Sequence, residues 1–489
     1  MKYLLGIDFG GGSSKTTLIN TLGEIIAEST AEYPTYYPHS GWCEQNPSDW
    51  KDALCENLSR LKEKSGIDFC DILAVAVDSA THTAVLCDEN KIPLRPAIHW
   101  TDSRSLKESK YLLDNFGDEI YSLTYHKPAT FWTLPQVLWV KENEPEVFSK
   151  IRHIFFEKDY IRYLLTDVFC TDYIEAQGSM FYDCEKKEWS DYLCSLIGLD
   201  KNVLPPLKNP TDVIGTITKK ASEFTGLIEG TPVICGTTDT VMEVFASGAV
   251  ELGDTTVKLA TAGRVCVITD KAYPDRDLVN YSHVVDGLWY PGSATKSAAS
   301  SLRWYRDTFS GDYKQLDLDA DKVPAGSEGL IFNPYINGEL TPYADPVLCG
   351  SFIGIRAHHT KAHFTRAVLE GVAFSLLHSS YKLESLGIKL NKTATLIGGG
   401  SKSFLWQQIV SDVMGLELNV TKSSDSSLGS AMLAGVAVGV FKTPKDAAKA
   451  CVKVEKTITP NFENHEKYKK FFETYVKVHD ALAPIYHER

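Results

Sequence analysis

The stretch Tyr3–Leu18, YLLGIDFGGGSSKTTL, restricts the fold of this 489-residue chain more than any other. An apolar run, Tyr3–Ile7, reads as a strand and ends on an acid, Asp8. Three glycines (Gly10, Gly11, Gly12), two hydroxyls (Ser13, Ser14) and Lys15 follow, and Thr16–Ile19 reads as a second strand. Consecutive glycines let backbone N–H groups crowd round an anion, and Ser and Lys add donors and charge. An aspartate beside such a loop gains nothing from touching phosphate directly, but it can hold a Mg²⁺ that does. A P-loop requires Gly before the Lys, where this chain has Ser14, and a dinucleotide fingerprint requires a third Gly where Lys15 stands. Both also require a helix after the turn, whereas Thr16–Ile19 and Thr21–Ser29 continue as strand, turn, strand. The segment therefore reads as a phosphate loop inside a β-hairpin. A glycine-rich surface hairpin with no ligand is the alternative.

The pattern returns further along the chain. Val233–Asp239, VICGTTD, is again a strand ending on an acid, with a helix from Thr240 to Ser247. Thr255–Thr269 is again strand, turn (Ala260–Gly263), strand. No short period is present, so the likeness is of one half of the chain to the other. The length calls for more than one core, and the boundary falls between residues 245 and 255, giving domains over 1–248 and 249–489.

Between these landmarks the chain alternates strands and helices. Asn46 or Ser48 caps a helix with Pro47 in its first turn, continuing over Trp50–Lys62. Ile72–Val77 and Ala84–Cys87 read as buried strands flanking the polar insert Asp78–Thr83, and open α/β sheets place ligands at such strand ends. Trp100, Asp102 and Arg104 form a second polar cluster. Thr365–Glu384 reads as a long amphipathic helix. Thr393–Ile397 is a strand leading to a glycine turn, Gly398–Ser401, and Leu428–Val440 is a closely packed Ala/Gly-rich helix. Asn464–His479 reads as a surface helix.

The formal net charge of −13 argues against a nucleic-acid partner. The eleven cysteines are scattered without a CxxC pair, which suggests neither a zinc site nor a redox pair and fits a reducing compartment. The short N-terminal apolar run ends at Asp8 and Ala431–Phe441 is too short to span a bilayer, so the expectation is a cytoplasmic protein with no membrane partner.

Several of these stretches resemble one family, the FGGY carbohydrate kinases. Gly350–Glu370, GSFIGIRAHHTKAHFTRAVLE, satisfies the second family signature. Phe131–Glu142, FWTLPQVLWVKE, resembles the first, with Gln136 in place of lysine. The likeness runs from about residue 3 to about residue 440. It implies an α/β fold of two actin-like (ribonuclease H-like) domains, of the sugar kinase/heat-shock ATPase/actin superfamily, with a cleft between them. It also implies ATP and Mg²⁺, phosphoryl transfer to a small sugar, and pairing into a homodimer that no stretch of the sequence itself shows.

Roles follow position by position from the resemblance. Asp8 matches the acid near Mg²⁺, and Gly11, Gly12, Ser13 and Lys15 the first phosphate loop, with Gly11 where the family usually has threonine. Asp239 matches the catalytic aspartate. Thr261 and Gly263 match the second phosphate loop, with Ala260 and Ala262 replacing a glycine and a serine. Gly398, Gly399, Gly400 and Ser401 match the turn beside the adenine and ribose of ATP. Thr81, His82, Trp100, Asp102 and Asp239 are the implied sugar-binding residues.

GWCEQNPSDW (Gly41–Trp50) and NGELTPYADP (Asn337–Pro346) are most similar to the branch of the family that phosphorylates xylulose. Departures at Ser79–Thr83, Gln136 and Leu340 keep another ketose such as ribulose, a polyol or a sugar acid such as gluconate in view. A carboxylate substrate would call on Arg104 or Arg264. The altered loops also admit a degenerate nucleotide- and sugar-binding sensor. Taken without the resemblance, Asp239 reads as a helix-capping or dipole residue, His82 as a satisfied loop histidine, Trp100 as packing, and Asp102 with Arg104 as a structural ion pair.

Overall fold

The opening hairpin forms as its spacing predicts in the computed structural model, which describes residues 1–488. Strand β1 (Tyr3–Phe9) pairs antiparallel with β2 (Ser13–Asn20), setting Asp8 opposite Lys15, and β2 pairs with β3 (Ile25–Glu32). Strand β4 (Ile72–Ser79) lies parallel to β1 on its other side. Strands β5 (Val213–Thr216) and β6 (Pro232–Ile234) complete a sheet in the order β5-β6-β4-β1-β2-β3. Burial on both faces makes β1 and β4 near-continuous apolar runs, as expected of parallel strands.

A second sheet repeats the design. Strands β7 (Thr255–Leu259), β8 (Gly263–Val267) and β9 (Gly292–Thr295) form an antiparallel meander. Strand β10 (Thr393–Ile397) is parallel to β7, β11 (Glu417–Thr421) is parallel to β10, and β12 (Val454–Ile458) closes the edge antiparallel. The order β9-β8-β7-β10-β11-β12 has the same sequence of strand directions as the first sheet read from β3. The likeness of the hairpin at Thr255–Thr269 to the opening one is thus part of a duplication of whole sheets, whereas the strand-acid segment Val233–Asp239 lies in the first sheet.

The chain divides into two compact units. Unit 1 holds residues 1–248, 281–286 and 423–452, and unit 2 the remainder. The expectation of two continuous halves is corrected here: segments 281–286 and 423–452 lie past the expected boundary yet pack with unit 1. In unit 1, helix α1 (Pro47–Ser65) begins with Pro47 in its first turn and stops at Gly66 in the left-handed region. Its Trp50, Leu54, Leu58 and Leu61 recur at helical spacing and are fully buried with Leu5, Ile7 and Phe9 of β1. Further helices of this unit are α2 (Glu157–Thr166), α3 (Tyr173–Gly178) and α4 (Asp239–Ala246).

Unit 2 contains α5 (Ala299–Phe309) and α6 (Lys361–Ser385), the latter opened by a capping box between Thr360 and His363. It also holds α7 (Phe404–Met414). Helix α8 (Ser426–Ala437) belongs to unit 1. Helix α9 (Phe462–His487) was expected as a surface helix. It instead buries Tyr468 and Tyr475, and Tyr475 shares a hydrogen bond of 2.7 Å with the Tyr335 hydroxyl. No helix among the described residues is long and apolar enough to cross a membrane.

One buried acid in unit 2 supports a stability prediction. Glu339 sits in the Pro/Gly-rich loop after Asn333 and accepts hydrogen bonds from Lys296 N (2.7 Å), Leu340 N (2.8 Å) and Ser375 Oγ (3.0 Å). Burial outweighs these bonds and raises its pKa from 4.5 to about 7. A folded pKa above the unfolded one gives stability that is full below about pH 4.5 and is lost as pH rises through about 7. Glu339→Gln should therefore lessen the fall in unfolding free energy between pH 5 and 8, by roughly 3 kcal/mol for a shift of this size. Parallel denaturation curves at the two pH values would contradict this if both proteins lost stability equally.

Candidate active site

Two clusters of the expected residues form, one in each unit. In unit 1 the first hairpin turn spends its carbonyl oxygens on the protein. Tyr33 OH donates to Gly10 O, Gln45 Nε2 (3.1 Å) and Thr35 Oγ1 (3.2 Å) donate to Gly11 O, and Tyr33 N donates to Gly12 O at 3.0 Å. With its acceptors occupied, the turn has amide N–H groups to offer an anion. Lys15 points its ammonium at Asp425, with Glu28 at 3.8 Å, so its charge is shared with two acids of the same unit.

Open space surrounds Gly11: a Cβ built there meets no atom within 4 Å, and its φ is not positive. Threonine therefore fits. Gly11→Thr should lower the KM for ATP about 3- to 10-fold by adding one hydrogen bond to a charged phosphate, with thermal stability unchanged. An unaltered or higher KM would show that the turn does not face phosphate.

Asp239 begins α4, with Thr238 as the residue before the helix. The connection from β6 is tightly held. Gly236 adopts φ +68°, and a Cβ there would lie 2.2 Å from Val77 O, so only glycine lets β6 come this close to β4. Arg162 donates to Cys235 O, and Thr237 Oγ1 donates to Asp172 Oδ1 at 2.8 Å. Asp172 also caps α3 and binds Lys158 Nζ at 2.9 Å, while Lys158 Nζ reaches Asp159 Oδ1 at 2.5 Å. These ionic side chains are wholly buried and mutually paired, an arrangement that is costly to break by halves.

Around Asp8 and Asp239 lie acids that sequence reasoning did not single out as site residues. Asp78 is paired in register with Asp8 on the neighbouring strand and accepts from Ser430 Oγ at 2.5 Å. Glu157 begins α2 and faces the Tyr33 hydroxyl at 3.4 Å. Burial, with the neighbouring acids adding to it, pushes Asp8 up to about 8 and holds Asp78 and Glu157 well above the usual carboxylate range. Asp8 and Asp78 are hydrogen-bonded to each other, and the buried Glu157 Oε2 has no hydrogen-bond partner among the described residues. Hard oxygen donors of this kind suit Mg²⁺ rather than a softer metal, so the residues present fit the ion that the resemblance implies.

The expected sugar-binding residues divide. His82 is buried, ring to ring with Trp132 and Tyr281 at 4.9 and 5.8 Å between centroids, and its Nε2 lies 2.6 Å from Tyr281 OH. Its Nδ1 faces Glu175 Oε1 at 3.5 Å, and neither oxygen of the buried Glu175 has a hydrogen-bond partner among the described residues. Burial keeps His82 neutral, well below the usual imidazole range, and Glu175 well above the usual carboxylate range. Thr81 is half-buried beside it, and Trp100 is 44% exposed. Asp102 accepts from Cys43 N at 2.5 Å, from Arg104 N at 2.8 Å and from Arg104 Nε at 3.0 Å. Arg104 is itself paired with Glu44 at 2.7 Å and stacked on Trp42. Asp102 and Arg104 therefore satisfy one another.

In unit 2 the two expected nucleotide turns are adjacent, because β7 and β10 pair in parallel up to Lys258 and Ile397. Gly398 (φ +88°) and Gly400 pass so near Leu259 that a Cβ on either would come within 2.7 Å of it. Ser401 Oγ ties the turn by donating to Gly398 O at 2.6 Å. Thr261 Oγ1 accepts from Arg303 at 2.9 Å, and Gly263 is packed too closely for a side chain. Beside the second turn opens a cavity of about 660 Å³ lined by Leu302, Tyr313, Gly399, Gly400, Phe404 and Trp406. Apolar walls with a few polar groups at this volume suit a planar heterocycle such as a purine.

Comparison with known proteins agrees with both units. Residues 3–246 match the N-terminal domain of the FGGY family of carbohydrate kinases, and residues 233–438 match its C-terminal domain. The chain is 33% identical to a xylulose kinase of Bacillus subtilis over 486 residues, 98% of this chain and 97% of that one. A gluconokinase of Bacillus subtilis is 27% identical over 99% of this chain and 97% of its own length. The crystal structure of a xylulose kinase from Rhodospirillum rubrum superposes with a TM-score of 0.91 at 28% identity, covering 99% of this chain and all of that one.

Proposed function

The chain belongs to the FGGY family of carbohydrate kinases, a phosphotransferase family, and from that premise we propose that it transfers the γ-phosphoryl group of ATP to xylulose, giving xylulose 5-phosphate. Unit 2 takes the adenine in the cavity beside Gly399 and Gly400, with the Thr261–Gly263 turn towards the phosphates. In unit 1 the Gly11–Ser13 amides are the phosphate donors of the first hairpin, with Lys15 paired to Asp425 and Glu28 beside them, and Asp8 holds Mg²⁺. The ion neutralises charge on the phosphates when bound. Asp239 accepts the proton of the attacking sugar hydroxyl as general base. Its place at the start of a helix, on a connection fixed by Gly236, Thr237 and Arg162, supports that role.

The observation that carries the choice of sugar is the charge of unit 1. Asp239, Glu157 and Glu175 are acids, and Arg104, the one of the two guanidiniums named for a sugar acid that lies in unit 1, is consumed by Asp102 and Glu44. A neutral polyol can exchange hydroxyl hydrogen bonds with carboxyl groups in either protonation state, whereas the carboxylate of gluconate would be buried here without a cation to pair with. The other positively charged groups beside this region, Lys158 and Arg162, are locked in their own ion pairs. A coupled ADP-release assay with xylulose, ribulose, glycerol and gluconate tests the reading. Xylulose should give the highest kcat/KM. Faster turnover of gluconate would replace it with a sugar-acid kinase, and no sugar-dependent turnover would favour a sensor.

A further inference from the structure

Strands β1 and β4 bring Asp8 and Asp78 side by side in register, so their side chains leave the same face of the sheet. Two carboxylates placed this way repel unless a cation or a proton stands between them. The positively charged groups nearby are already engaged. Lys15, directly across from Asp8 on β2, is turned to Asp425, and Lys158 is held by Asp159 and Asp172. A third acid enters from a different element: Glu157, wholly buried at the start of α2, has a free Oε2 and lies near Asp8 and Asp239. Asp78 is likewise wholly buried; Ser430 occupies its Oδ2, and its carboxyl otherwise faces that of Asp8, to which it is hydrogen-bonded.

We propose that Asp78 is a second carboxylate ligand of the divalent cation beside Asp8, so that the enzyme takes up one Mg²⁺ or Mn²⁺ before any nucleotide arrives. This rests on the reading of Asp8 as the metal-holding residue. One carboxylate seldom retains Mg²⁺ alone, and the ion normally enters a kinase on the phosphates. Two adjacent carboxylates, with the buried Glu157 close enough to Asp8 to feel its charge, make a site that needs no phosphate. A second cluster does not compete. Glu328 meets His358 Nε2 at 2.9 Å and His363 Nε2 at 3.4 Å, but Nδ1 of His359 and of His363 accepts a backbone N–H. That tautomer leaves the proton on Nε2, where a metal would have to bind.

Titration of the full-length, nucleotide-free protein with Mn²⁺, followed by loss of the free-ion electron paramagnetic resonance signal, should show one site per chain with a Kd below about 1 mM. Asp78→Asn keeps the shape and an acceptor for Ser430, and should weaken that site at least tenfold. Glu157→Gln should weaken it two- to fivefold, and Asp8→Asn should abolish it. Thermal denaturation of each variant checks that it is folded. Absence of Mn²⁺ binding to the wild type, or equal binding by folded Asp78→Asn, overturns the proposal. A wild type that binds Mn²⁺ but phosphorylates no sugar leaves the proposal standing and removes only the sugar-kinase reading.

Discussion

Asp239→Asn is expected to lower kcat with xylulose by roughly 10²- to 10⁴-fold, the range for loss of a general base, while ADP affinity stays within about twofold. Asparagine preserves the shape of the side chain at the first position of α4, where it can still lie near the helix N-terminus. The connection from β6 has other anchors. It is held by Gly236 against Val77, by Arg162 on Cys235 O and by Thr237 on Asp172. The variant should accordingly fold and bind ligands, and fail at proton transfer alone. Isothermal titration with ADP beside steady-state kinetics separates the two effects. A loss shared equally by binding and turnover would assign Asp239 to structure. Identical slow hydrolysis by wild type and variant would instead favour the sensor, in keeping with Ala260 and Ala262 in the second loop.

The parts of this protein that could be read from sequence are those whose chemistry is local. The Gly10–Gly12 turn, the absence of a helix after it, Pro47 in the first turn of α1 and the strand at Thr393–Ile397 all follow from short-range rules. They appear at or within a few residues of the positions expected. Asp78 shows where such rules end. It stood at the edge of a polar insert after a predicted strand, and nothing in Asp78–Thr83 discloses that β4 pairs with β1 in the register that sets it beside Asp8. Asp425 was hidden by sequence distance. It lies 410 residues from Lys15, within a segment that returns to unit 1 after the chain has built most of unit 2. For α9, a readable signal was passed over. Tyr468 and Tyr475 are seven residues apart, a spacing that places both on one helix face, yet the charged residues between them masked that stripe.

Gly6→Ala should have the largest effect on stability, because β1 and α8 leave no room for a methyl group. A Cβ at residue 6 would lie 1.9 Å from Ser427 O and 2.4 Å from Ala431 N, both backbone atoms that cannot rotate away. On its other side α8 is equally close to α4, where a Cβ on Gly429 would lie 2.3 Å from Met242 O. The Ala/Gly-rich sequence of α8 is thus what lets one helix touch both the strand that carries Asp8 and the helix that begins with Asp239. Overpacking of this kind costs about 3 kcal/mol or more when the obstacle is backbone, which for a unit of this size lowers Tm by on the order of 10 °C. The site should suffer with the fold, since α8 also contributes Ser430 to Asp78 and Ser427 to Thr17, and Asp425 just before it holds Lys15. Any displacement of α8 that relieves residue 6 must move these contacts together. Gly6→Ala should therefore lose Mn²⁺ and ATP affinity even below its Tm, whereas Gly399→Ala, in open space in unit 2, should change Tm by less than about 2 °C. A Gly6→Ala protein as stable as the wild type would mean that β1 and α8 are farther apart than this packing requires.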